Sequence, residues 1–145
     1  MQDAAPPLIA VADDDEMHAE IVCVWLTSLG YQVRCFVTGD ALLEWAREER
    51  EVPAAVLLDV EMPGSDGFAV CTELRRLAAY ADIPCVFVSS LATGTLADGA
   101  RAAGGSGSMR KDASLLPRLA AWLQHAIPIS QPAPSSRIPA AVLNF

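Results

Sequence analysis

The stretch Ala54-Ala55-Val56-Leu57-Leu58-Asp59-Val60-Glu61-Met62-Pro63-Gly64-Ser65-Asp66-Gly67 decides the fold. Its first five residues, Ala54 to Leu58, are apolar without alternation, the pattern of a strand buried on both faces of a parallel sheet. The run stops at a carboxylate, Asp59. Met62 to Gly67 then holds a proline, two glycines and an aspartate, the chemistry of a tight connection. Apolar spacing resumes at Phe68 and predicts a helix reaching about Ala79. Strand, carboxylate, loop and helix form one unit.

The same alternation extends in both directions with no sequence repeat. Upstream, Leu8 to Ala12 reads as a buried strand closed by Asp13-Asp14-Asp15-Glu16. A helical pattern follows from about Asp15 to Leu29, with Ile21, Val24, Trp25 and Leu29 on its apolar stripe and Gly30 as terminator. Tyr31 to Val37 reads as a strand, and Thr38 to Arg50 as a helix carrying Leu42, Leu43 and Trp45. Downstream, Ile83 to Val88 is a strand closed by Ser89-Ser90. Thr93 to Ala103 predicts a helix weakened by Gly94 and Gly99, each costing ~1 kcal/mol relative to alanine. Gly104 to Met109 is a short strand ending at Arg110-Lys111. Ser114 is placed to cap a last helix running to about Ile127, with Pro117 tolerated in its first turn. The expected division is an N-terminal arm over residues 1–7, a folded unit over 8–127 and a proline-rich tail over 128–145.

Five strands alternating with five helices point to an α/β, doubly wound parallel sheet. Ligand sites in such sheets lie outside the carboxyl ends of the strands, where strand order reverses. The residues there are Asp13, Asp14, Asp59, Ser89 and Lys111. Three carboxylates brought together repel one another unless a cation joins them. A hard divalent ion such as Mg2+ suits oxygen ligands and a phosphate. The Ser89 hydroxyl and the Lys111 ammonium suit phosphoryl oxygens, and a carboxylate such as Asp59 can form an acyl phosphate. Of ten basic residues only Lys111 is a lysine, and it stands at the end of the last strand, where a compact ammonium differs from a planar guanidinium. His18 and His125 read as helix-surface residues with no partner in this constellation. Trp25, Trp45 and Trp122 read as core or partial core.

Composition narrows the function classes. Hydrophobic residues make up 52% of the 145 and charged residues 19%, which excludes wholesale disorder. Eighteen acids against ten bases leave a net charge of -8, so neither a nucleic acid nor a membrane is the expected partner. No apolar run approaches the ~18 residues of a membrane span, and the start lacks the basic and apolar regions of a signal peptide. Cys23, Cys35, Cys71 and Cys85 contain no C-x-x-C pair and sit in apolar runs, as reduced thiols do. A cytoplasmic protein is expected.

The segments Ile9 to Asp15, Val56 to Phe68 and Ile83 to Ser90, with the single Lys111, resemble the receiver domain of bacterial two-component response regulators. The resemblance covers residues 8 to 127, and its most specific part is the D-x-x-M-P-G-x-D-G block that begins at Asp59. It implies a flavodoxin-like (βα)5 sheet of strand order 2-1-3-4-5. It implies Asp59 as phosphoacceptor, and Asp13, Asp14, Asp59 and the Glu61 backbone carbonyl as the Mg2+ ligands. Ser89 corresponds to the switch hydroxyl and Lys111 to the phosphoryl-binding lysine. The implied partners are a sensor histidine kinase or histidine phosphotransfer protein and an output protein reached by protein–protein contact. The only reactions implied are self-catalysed phosphoryl transfer and dephosphorylation.

Three departures from the family pattern stand out. Asp112 follows Lys111 where relatives carry proline, Ser108 stands where relatives carry a switch aromatic, and Gly94 and Gly99 fall in the fourth helix. These differences leave a second reading open, a phosphorylation-independent interaction module on the same fold. A third reading, a small phosphatase, lacks both a G-x-S-x-G elbow and a D-x-D pair, since Glu61 stands two residues after Asp59. With no second domain in the sequence, a single-domain regulator is expected.

Overall fold

The apolar runs become the five strands β1 (Leu8–Ala12), β2 (Gln32–Phe36), β3 (Ala55–Asp59), β4 (Cys85–Ser89) and β5 (Gly107–Arg110). Between and after them run α1 (Glu16–Ser28), α2 (Gly39–Glu48), α3 (Gly67–Leu74), α4 (Thr93–Ala102) and α5 (Leu115–Ala126). This computed structural model describes residues 6–90 and 93–127. The expected tail, 128–145, and the first five residues of the expected arm lie outside the described residues. All strand pairs are parallel, in the order β2-β1-β3-β4-β5, as the resemblance implied.

Successive strand residues face opposite sides of the sheet, and the packing follows that alternation. Ala10, Ala12, Val56, Leu58, Cys85 and Phe87 meet α2, α3 and α4 through Leu42, Val70, Leu74 and Leu96. Ile9, Val11, Leu57, Val86, Val88 and Met109 meet α1 and α5 through Val22, Leu26, Leu119 and Leu123. Full burial of each such leucine or isoleucine contributes about 1.5–3 kcal/mol relative to exposure. β1, β3 and β4 are covered on both faces, which is why their sequences run apolar without interruption. β2 is an edge strand and is mostly exposed.

Polar side chains fix the helix starts that border the strand ends. Asp15, Thr38 and Asp66 are N-caps that accept hydrogen bonds from the backbone N–H groups of His18, Ala41 and Ala69. Gly30, at φ 106°, follows the last turn of α1 in the left-handed conformation that ends helices. Gly67 starts α3 so close to β3 that a β-carbon there would lie 2.5 Å from the Asp59 carbonyl oxygen. The D-G pair of the loop therefore serves two physical ends, a cap and a close approach.

Four sequence expectations are corrected. In α1 the inward stripe is Ala19, Val22, Trp25 and Leu26, while Ile21 and Val24 are exposed; equally apolar residues line both sides of this helix, so spacing alone does not choose between them. α3 ends at Leu74 and yields to a short 3-10 turn at Ala78–Tyr80, where the Arg75 guanidinium bonds the Tyr80 and Ile83 carbonyls. Ser114 supplies no cap; its hydroxyl and its N–H both donate to Asp112. All four cysteines are free thiols, but Cys35 is exposed on the edge strand and does not behave as a core residue.

α4 forms over Thr93–Ala102 with Leu96 and Ala100 buried, despite its two glycines. Trp25 is buried, and Trp45 and Trp122 are partly buried against the two cores. No cis peptide occurs among the described residues, the Lys111–Asp112 bond included.

Candidate functional site

Parallel pairing lays the carboxyl ends of four strands side by side. Asp59 is the last residue of β3 and registers with Val88, and Ser89 of β4 registers with Arg110. Backbone bonds carry the alignment one residue further, from Asp13 N to Phe36 O, from Val60 N to Val88 O and from Lys111 N to Ser89 O, at 2.9–3.0 Å. Each residue singled out in the sequence is therefore delivered to one edge. Asp13, Asp59 and Ser89 are buried there, at 4%, 4% and 0% exposure. Asp14 lies exposed at the rim.

One carboxylate oxygen from each of Asp13, Asp14 and Asp59 lies within 4.8 Å of the others, a spacing that one divalent ion can bridge. Lys111 Nζ donates to Asp59 Oδ2 at 3.0 Å and stands 3.8 Å from Asp13 Oδ2. The Glu61 N–H donates to Asp59 Oδ1 at 3.1 Å, and the Asp15 N–H to Asp13 Oδ1 at 2.9 Å. The carboxylate of Glu61 reaches across the mouth to the N–H and hydroxyl of Ser90, at 3.1–3.3 Å.

Charge is distributed unevenly over this cluster. Burial raises the Asp59 carboxyl to about 6; Lys111 opposes the rise and the neighbouring Asp13 adds to it. Burial also pushes Asp13 upward, but hydrogen bonding with His18, the Asp15 N–H and Asp59, together with the charge of Lys111, outweighs it, and its pKa falls below the usual carboxylate value. Lys111 is destabilised by burial yet held above the usual lysine range by Asp59 and Asp13. The site is thus two buried acids and one exposed acid beside a single ammonium, and a cation fits its excess negative charge.

His18, expected to face solvent without a partner, belongs to this cluster. Its Nδ1 lies 2.6 Å from Asp13 Oδ2. Sequence spacing hides the contact, because it depends on α1 starting immediately after the Asp15 cap and turning the ring back over the preceding strand end. The cap-plus-histidine spacing from Asp15 to His18 is the only signal that could have found it.

Comparisons with known proteins agree with this geometry. The family described as response regulator receiver domain matches residues 9–120. Response regulator PleD of Caulobacter vibrioides is 37% identical over 83 residues, 57% of this chain and 18% of PleD. The transcriptional regulatory protein BaeR of Escherichia coli is 31% identical over 88 residues, 61% of this chain and 35% of BaeR. The chain therefore spans about a third or less of these relatives. Among solved structures, the Vibrio cholerae chemotaxis protein CheY4 superposes with a TM-score of 0.77 at 23% identity, covering 85% of this chain and all of that one. The receiver domain of the Pseudomonas aeruginosa sensor histidine kinase PA1611, whose active-site cleft coordinates a magnesium ion, gives 0.74 at 24% identity, with coverage of 83% and 97%.

Proposed function

Because the chain belongs to the response regulator receiver domain family, we propose that it is a phosphorylatable switch whose phosphoacceptor is Asp59. The observation that carries this reading is the position of Asp59: it ends β3 buried, bonded to Lys111 and within ligand spacing of Asp13 and Asp14. The phosphodonor is a phosphohistidine on a histidine kinase or phosphotransfer protein. An Asp59 carboxylate oxygen attacks phosphorus, the phosphorus–nitrogen bond breaks, and the imidazole leaves with the electron pair. Water later cleaves the acyl phosphate to inorganic phosphate and the free carboxylate.

The donor set suits a hard divalent ion, since the grouped ligand atoms are all carboxylate oxygens. Asp13, Asp14 and Asp59 would hold Mg2+, with the Glu61 backbone carbonyl as a further ligand. Bound there, the ion supplies charge neutralisation for the phosphoryl oxygens. Lys111 binds a phosphoryl oxygen as a point charge, and Ser89 offers its hydroxyl to another. Positioning and charge are the main requirements of such a transfer.

Incubation with acetyl phosphate and Mg2+, followed by intact-mass measurement, tests the reading. Uptake of one phosphoryl group supports it. No uptake favours the second reading, a constitutive interaction module, for which the observation is Ser108 on β5 in place of an aromatic side chain. That module binds its partner through the fold alone, with the same affinity whether or not a phosphodonor is present.

A further inference from the structure

His18 is the residue of the site that the strand ends do not supply, and its placement has a consequence for the cation. We propose that His18 is a positioning residue for the divalent ion: it holds the Asp13 carboxylate in its cation-binding orientation without becoming a ligand. The inference rests on the magnesium reading above.

Both oxygens of Asp13 are engaged by the same turn of chain. Oδ1 accepts the Asp15 N–H at 2.9 Å, and Oδ2 lies 2.6 Å from His18 Nδ1. The backbone that carries the ring is itself held, because the His18 N–H donates to Asp15 Oδ1 at 3.2 Å as α1 begins. A carboxylate held at both oxygens does not rotate about its Cβ–Cγ bond. Each oxygen nevertheless keeps a second lone pair, which a cation or a cation-bound water can use.

The Asp15 N–H holds Oδ1, and among the described residues His18 is the side chain hydrogen-bonded to Oδ2. Lys111 Nζ is 3.8 Å from Asp13 Oδ2, beyond hydrogen-bond length, and is committed to Asp59 at 3.0 Å. The imidazole is not in the ligand set either; the acids within 4.8 Å of one another are Asp13, Asp14 and Asp59. Asp13 is the only hydrogen-bond partner of the ring among the described residues. Partners of this kind, which orient a metal ligand from outside, are typically worth about 10–100-fold in metal affinity.

Calorimetric titration of Mg2+ into the full chain, as wild type, His18→Leu and His18→Asn, tests the proposal. Asparagine carries its amide nitrogen on Cγ, where histidine carries Nδ1, so it restores the donor and not the ring. The expected result is a loss of about 10-fold or more in Mg2+ affinity for His18→Leu and recovery of most of it in His18→Asn. The melting temperature without Mg2+ is the control, since a residue that only braces α1 would lower it and leave the affinity unchanged. If the leucine variant does not fold, His18→Ala carries the same comparison. Wild-type affinity in the leucine variant, or an asparagine variant as weak as leucine, overturns the role of His18 alone. Absence of Mg2+ binding by the wild type overturns the magnesium reading and this inference together.

Discussion

The ring of Phe68 fills the space that a β-carbon on Gly99 would need, its nearest atom 2.5 Å from that position. The same ring packs on Phe87 of β4 with centroids 4.9 Å apart, so it is wedged between α4 and the sheet. Gly99 is therefore a contact surface, whatever it costs in helix propensity. Gly94, in the first turn of α4, has nothing within 4 Å of its β-carbon position. Gly99→Ala is expected to lower stability by about 1–3 kcal/mol through overpacking. Gly94→Ala is expected to raise it by up to about 1 kcal/mol. Urea denaturation of both variants gives the signs; a Gly99→Ala protein as stable as wild type contradicts the packing account.

Magnesium is expected to raise the melting temperature, because an ion bound only by the folded chain stabilises it in proportion to the logarithm of its concentration over Kd. Asp14 is the exposed member of the acidic group, so replacing it disturbs little else. Asp14→Asn should melt near the wild-type temperature without Mg2+ and lose most of the increase with it. Differential scanning calorimetry across a Mg2+ series reads both. A variant that keeps the full increase removes Asp14 from the site.

Acidity at Asp59 sets a pH dependence with a definite sign. Its folded pKa of about 6 lies above the ordinary value of 3.8, so the folded chain holds this proton more tightly than the unfolded chain does. The resulting stabilisation is complete below about pH 4 and is lost as pH rises through about 6. Asp59→Asn, neutral throughout, should therefore raise the Mg2+-free melting temperature more at about pH 8 than at about pH 5. An equal shift at both values contradicts the assignment.

Lys111 opposes the rise at Asp59. Replacing Lys111 with methionine should then move the Asp59 titration upward from about 6, measurable by carbon NMR of the labelled carboxyl. A midpoint that stays in place or falls contradicts the Lys111–Asp59 pairing.

How much of this was legible in the sequence depends on the range over which each feature is determined. Val56-Leu57-Leu58-Asp59 announces a buried strand ending in a carboxylate, because burial on both faces demands an unbroken apolar run. The same logic locates Asp13, Ser89 and Lys111, since parallel strands bring their carboxyl ends to one edge. Side choice in α1 was not legible: Met17, Ile21 and Val24 are as apolar as the residues that pack inward, yet all three are exposed. The Asp13–His18 contact depends on the entry angle of α1, and the Gly99–Phe68 contact on the approach of two helices distant in sequence. Local composition carries neither.

The most direct measurement locates the phosphoryl group. After exposure to acetyl phosphate and Mg2+, borohydride reduction converts an aspartyl phosphate to homoserine, and peptide mass spectrometry finds the position. The account predicts homoserine at position 59 alone, absent when Mg2+ is chelated and absent in Asp59→Asn. Homoserine at another aspartate in the wild type, or the same labelling with Asp59 replaced, would contradict it.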